Sequence, residues 1–143
     1  MDRINWLAVI VGAVIFYFWG GLWYGLLFSH QWSTFVGVPP NQSMQSVPMI
    51  VAVIVALVLS FGVAVALSHD DDRTVAHGVQ FGIFFGVVFF ASIMLEQIMF
   101  EGRPLGLWLI NAGYVLIGLV ILGALHGAWK KAPRSKATPA SGA

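Results

Sequence analysis

The sequence predicts an all-α integral membrane protein, a four-helix transmembrane bundle, on three observations. Four long apolar runs, roughly 5–28, 48–67, 75–100 and 105–129, hold most of the 143 residues. Each supplies about the twenty residues that a helix needs to cross a ~30 Å hydrocarbon core. The chain is 59% hydrophobic and only 9% charged, with a mean hydropathy of +0.86, which excludes a soluble domain of this size. The runs also lack the strict apolar–polar alternation of barrel strands. Helices, which satisfy their backbone polar groups within one segment, are the remaining solution in lipid.

The first run is too long for the apolar core of a signal peptide, and no small-x-small cleavage site follows it. Trp23 and Tyr24 near its far end suit the aromatic anchors of a retained helix. The loop 29–47 is long, uncharged and contains Pro39-Pro40; Trp32, Phe35 and Val38 predict a short interfacial segment within it. The second run carries a small residue at every fourth place: Ala52, Ala56, Ser60, Ala64 and Ser68. The third carries Gly78, Gly82 and Gly86, the fourth Gly123 and Gly127, and the first Gly21 and Gly25. Small residues at this spacing let helix backbones approach closely in lipid. We expect the seams of runs two and three to pack within one chain, with a dimer contact as the use of any glycine face left over. The loop 68–74 and the turn 101–104 are short, which predicts that runs two and three, and three and four, are antiparallel neighbours. No internal repeat supports the inverted-repeat plan of many transporters. Residues 1–131 therefore form one four-helix transmembrane domain. Residues 132–143, rich in Pro, Ser, Ala and Lys, read as a disordered basic cytoplasmic tail.

Orientation follows from the cations. Arg3, Arg73, Lys130, Lys131, Arg134 and Lys136 fall on one side and only Arg103 on the other. Six against one places both termini in the cytoplasm. The net charge of +1 argues against a nucleic-acid partner, and the basic tail is explained as a topology signal.

Chemistry is sparse. With no cysteine, disulfides, thiolate metal sites and cysteine nucleophiles are excluded. His69, His77 and His126 fall at the cytoplasmic ends near Asp70, Asp71 and Asp72, but their spacing matches no compact metal motif. No metal or other cofactor is expected. No serine stands with a histidine and an acid in a recognisable motif, and Gly82 and Gly86 lie inside an apolar helix rather than a phosphate loop. No catalytic residue is assigned, and the balance is against an enzyme.

One acidic residue, Glu96, lies well inside an apolar run, where a charge costs about 2.5–3.5 kcal/mol on insertion scales. At 100° per residue it projects onto the Gly78 face and so toward the interior. Asn111 lies at a similar depth in the next helix, and Tyr114 one turn deeper on nearly the same face. Trp23 and Tyr24 reach a comparable level. Glu96, Asn111, Trp23, Tyr24 and Tyr114 thus converge by depth in the outer third. They are the candidate ligand-binding residues, with the carboxyl and amide as polar contacts and the rings as walls. The plainer alternative is that Glu96 is protonated or hydrogen-bonded to Asn111 or Arg103 and only fixes a helix pair.

Residues 4–8 (Ile-Asn-Trp-Leu-Ala), then Gly21-Leu22-Trp23-Tyr24, Leu27-Phe28 and Trp32, resemble the opening of the uncharacterised membrane-protein family catalogued as domain of unknown function 1761. Residues 100–104 (Phe-Glu-Gly-Arg-Pro), then Ile110-Asn111-Ala112-Gly113-Tyr114 and Gly123 to Trp129, resemble its closing segment. Gly25-Leu26 and His30-Gln31 depart from the family pattern and predict a slightly different outer turn. The resemblance implies a small four-helix protein of a bacterial inner membrane and points to Trp23, Tyr24, Asn111 and Tyr114; it assigns no activity.

The leading expectation is a non-enzymatic membrane protein with a small-molecule or lipid cleft in its outer half. The alternatives are a transporter or channel subunit acting as a homo-oligomer, and an accessory subunit packed into a larger membrane complex through its glycine faces. The lipid bilayer is a partner in all three.

Overall fold

The computed structural model describes residues 3–39 and 46–130. Pro40 and the tail expected at 132–143 lie outside these. The described chain is all-helical: α1 (Trp6–Gly20), α2 (Ser29–Val36), α3 (Ser46–Leu67), α4 (Val75–Phe85), α5 (Ser92–Phe100) and α6 (Leu105–Ala128). A π-helical segment, Gly21–Leu27, continues α1, and a second, Gly86–Ala91, joins α4 to α5. Four continuous helices, Trp6–Leu27, Ser46–Leu67, Val75–Phe100 and Leu105–Ala128, are long and apolar enough to cross a membrane. They are called spans 1 to 4 below. The short α2 occupies the place where the sequence predicts an interfacial segment.

Local chemistry sets the helix ends. Asn5 caps α1 by accepting a hydrogen bond from the Ala8 amide at 3.3 Å, and Thr74 caps α4 through the His77 amide at 3.3 Å. Gly37, at φ +77°, stops α2 in the left-handed conformation that glycine adopts freely. Gly102, at φ +64°, turns the chain sharply before Pro104 and α6.

α6 is the hub, touching every other helix. Its contact with α4 is backbone against backbone: a Cβ added at Gly78 would run into the Gly123 carbonyl, and one at Gly123 into the Gly78 carbonyl. At Gly82 the added atom would stand 2.5 Å from the Leu119 carbonyl oxygen, and at Gly127 it would meet the Thr74 carbonyl. The glycine seam of span 3 is thus satisfied within the chain. On span 2, Ala56, Ser60 and Ala64 are buried, as is Ser68 just beyond its end. Phe16, Leu119 and Leu122 complete the central core.

Among the described residues nothing lies within 4 Å of a Cβ built at Gly21 or Gly25, so theirs is the glycine face left over. One expectation is corrected. Spans 2 and 3, although joined by a short loop, are not close neighbours: α3 packs on α1 and α6, while α4 packs on α6. A short loop fixes where two helices begin, but the closest approach goes to the glycine-lined pair, span 3 with span 4.

The π segments have visible consequences. The Ser92 amide bonds back to the Val87 carbonyl, and the Phe28 amide to the Trp23 carbonyl, the i→i+5 pattern that takes in extra residues. Side chains donate to carbonyls in this region: Trp108 Nε1 to Ala91 at 2.8 Å, and the Ser92 hydroxyl to Val88. We expect Trp108→Phe, which keeps the ring but loses the donor, to cost about 1 kcal/mol. Amide exchange by mass spectrometry should show faster exchange confined to 87–96; unchanged exchange there would remove the indole from this role.

Candidate functional site

Arg3 and Lys130, the first and last described residues, both meet the loop 68–74. Arg3 pairs with Asp71 at 2.7 Å, and Lys130 Nζ donates to the Asp71 carbonyl at 3.2 Å. A polar cluster lies just inside this terminal end. The Ser60 hydroxyl donates to the Val9 carbonyl at 2.8 Å and stands 3.1 Å from His126 Nε2. With its proton committed to Val9, the hydroxyl accepts from Nε2–H, which fixes the histidine tautomer. Ser60 is fully buried, so the pair ties spans 1, 2 and 4 together and offers no accessible nucleophile. Arg73, also buried, donates to the His126 carbonyl at 3.1 Å and the Leu67 carbonyl at 3.3 Å, closing the last turns of α6 and α3. His77 pairs with Asp70 at 3.0 Å, and His69 Nδ1 lies 3.0 Å from the Val65 carbonyl. Among the described residues no three His, Asp or Glu side chains come close enough to share a metal ion.

The opposite half holds a cavity of about 940 Å³, near the top of the roughly 300–1,000 Å³ typical of ligand pockets. The first π segment and α6 form its back wall, with Gly20, Gly21, Tyr24 and Gly25 facing Asn111 and Tyr114. Pro48, Met49 and Ala52 of α3 form one side, and Met94, Gln97 and Ile98 of α5 the other. α3 and α5 do not pack on each other among the described residues, so the cavity opens sideways between them.

Its polar groups are few and connected. Tyr24 Oη donates to Asn111 Oδ1 at 3.0 Å. The Tyr24 ring lies 4.9 Å from that of Tyr114 and 5.7 Å, edge on, from Trp32. Tyr17 Oη reaches Met49 Sδ at 3.3 Å. At the rim, Glu101 accepts from Gln97 Nε2 at 2.9 Å and pairs with Arg103 Nε at 2.8 Å.

Of the five residues singled out from the sequence, Tyr24, Asn111 and Tyr114 line this cavity together. Trp23 stands behind the wall: it is buried, its indole donates to the Ile110 carbonyl at 3.0 Å, and its ring packs on Trp19 and Phe28. Glu96 is exposed on the outside of α5, bonded to neither Asn111 nor Arg103, whose partners are Tyr24 and Glu101. The reason is the π segment Gly86–Ala91. One extra residue in a turn rotates everything beyond it by about 100°. The position facing the interior passes from Glu96 to Gln97, which does line the cavity. Trp32, Gln97, Glu101 and Arg103 were missed as site residues. The acidic and basic pair flanking Gly102 was the available signal, since a turn needs neither charge.

A recess of about 630 Å³ at the terminal end, between Arg3, Ile4, Phe61, Val65, Ser68 and His69, is a weaker candidate. Arg3 is already committed to Asp71, and Ser68 to its own helix through Val65.

No curated protein and no solved structure matches the chain. A family model described as protein of unknown function, DUF1761, matches residues 7–127. That match covers most of the 143 residues, and the chain belongs to this family.

Proposed function

We propose that this is a multi-pass protein of the bacterial inner membrane, with both termini cytoplasmic, that binds a lipid or other membrane-soluble small molecule in its outer half. The observation that carries the reading is the sideways-opening cavity of about 940 Å³ with the Tyr24–Asn111 hydrogen bond on its back wall. Mostly apolar walls with a few convergent polar groups are the ordinary design of a ligand pocket. An opening between two helices admits a molecule already dissolved in the bilayer. The gathering of Arg3, Lys130 and the loop 68–74 at one end supports the orientation, since cations concentrate on the cytoplasmic side.

Gly21 borders the cavity with open space where a side chain would go, so Gly21→Trp fills it from the wall. Native mass spectrometry of protein released from native-lipid nanodiscs should show a stoichiometric adduct on the wild type. Gly21→Trp should lose it and Glu96→Gln should keep it. A wild type without adduct, or an adduct that survives Gly21→Trp, defeats the reading.

A further inference from the structure

We infer that the cavity's ligand is an acyl ester, an uncharged amphiphile whose polar group offers acceptor oxygens and no proton; this rests on the cavity reading above. The directions of the hydrogen bonds around the cavity select this class. Tyr24 occupies Asn111 Oδ1, which leaves the amide's donor end, Nδ2, as the group that Asn111 can offer to the cavity it lines. Tyr114 adds a phenol beside it. Its ring is held between Phe16 and Tyr24 at 5.3 and 4.9 Å, and its Oη would stand 3.2 Å from a Cβ at Gly20. At the rim, the two Glu101 oxygens are taken by Gln97 and Arg103, while the guanidinium retains N–H groups beyond Nε. At Asn111 and at Arg103 the protein therefore offers protons, and the ligand group complementary to these two positions is an acceptor.

Charge narrows the class. Glu101 and Arg103 cancel at the rim, and Tyr24, Asn111 and Tyr114 carry no charge. An ammonium head would compete with two protein donors for Glu101, and a carboxylate placed beside Asn111 would be desolvated without a countercharge. A neutral ester carbonyl meets neither penalty, and its hydrocarbon tail fits the slot between Met49 and Ala52 on one side and Met94 and Ile98 on the other.

The test uses the full chain in nanodiscs of diether phospholipid, which have no acyl ester of their own. The probes are the methyl ester of a brominated stearic acid and a brominated alkane of similar chain length. The readout is saturable tryptophan quenching that disappears in Trp32→Phe, because Trp32 lines the cavity. We expect the ester to bind roughly tenfold more tightly than the alkane. Tyr114→Phe, which keeps the ring packing, and Asn111→Leu should each reduce the ratio of ester to alkane affinity roughly three- to tenfold, the size of one hydrogen bond. Equal binding of ester and alkane, or a preference intact in both variants, overturns the inference and leaves the cavity reading standing. Absence of saturable quenching by either probe overturns the cavity reading itself. Repeating the titration in diester-phospholipid nanodiscs separates the sources, with the ester class supported either way: competition assigns the site to the bilayer's own glycerolipids, and its absence to a free single-chain ester.

Discussion

Gly78→Val is expected to break the packing of span 3 on span 4, at a cost on the order of 3 kcal/mol, the upper part of the usual overpacking range. The Gly78 and Gly123 backbones are so close that a first side-chain carbon on either overlaps the other's carbonyl. No rotamer relieves this, because the obstacle is main chain on both sides. The helices must separate, and the approach at Gly82 and Gly127 separates with them. In a nonpolar surrounding that loss is not offset by hydrophobic burial, since helix association there depends on close packing itself. Reversible unfolding in bicelles measures the cost. Gly62→Ala is the control: Gly62 lies in α3 with nothing among the described residues within 4 Å of an added Cβ, and alanine there should be neutral or stabilising by up to about 1 kcal/mol. Equal stability of Gly78→Val and wild type would show that the two backbones do not meet.

Arg73→Leu is expected to cost about 3 kcal/mol and to loosen the terminal ends of spans 2 and 4 together. Arg73 is only 8% exposed and donates to carbonyls at the ends of two helices, Leu67 of α3 and His126 of α6. Hydrogen bonds from a charged donor contribute about 1.5–3 kcal/mol each, and a cation at a helix C-terminus gains further from the macrodipole. Leucine removes the guanidinium donors, so the His126 carbonyl loses its Arg73 bond and the Leu67 carbonyl keeps only the Asp70 amide. Five of the six cations that the sequence reading assigns to the cytoplasmic side remain, namely Arg3, Lys130, Lys131, Arg134 and Lys136, so the variant separates a packing role from a topology role. Bicelle unfolding should show the loss, amide exchange should rise at both 64–68 and 123–128, and reporter fusions should show the carboxyl terminus where it was. A variant of wild-type stability would reduce Arg73 to a topology charge.

The candidate site was legible in part. Tyr24, Asn111 and Tyr114 were found by counting turns from the helix ends, and the geometry brings them to one wall. Counting failed for Glu96 because it assumed one uniform helix over the third run, and the π segment Gly86–Ala91 intervenes. The glycine-rich and phenylalanine-rich letters of that segment do not announce an extra residue in a turn. Depth also placed Trp23 correctly without saying which side of the wall it took; its indole proton went to Ile110. Ser60 and His126 are 66 positions apart, and no pattern along the chain joins them.

The sequence by itself determined the four apolar helices, their boundaries within a few residues and the seam of Gly78 and Gly82. These follow from run length, composition and spacing, which are local properties of the chain. Only the tertiary structure decided which helices pair closely, which residues face the cavity and where Arg73 is spent. Those outcomes depend on azimuth: a single extra residue in a turn resets every later side chain by about 100° while leaving depth almost unchanged.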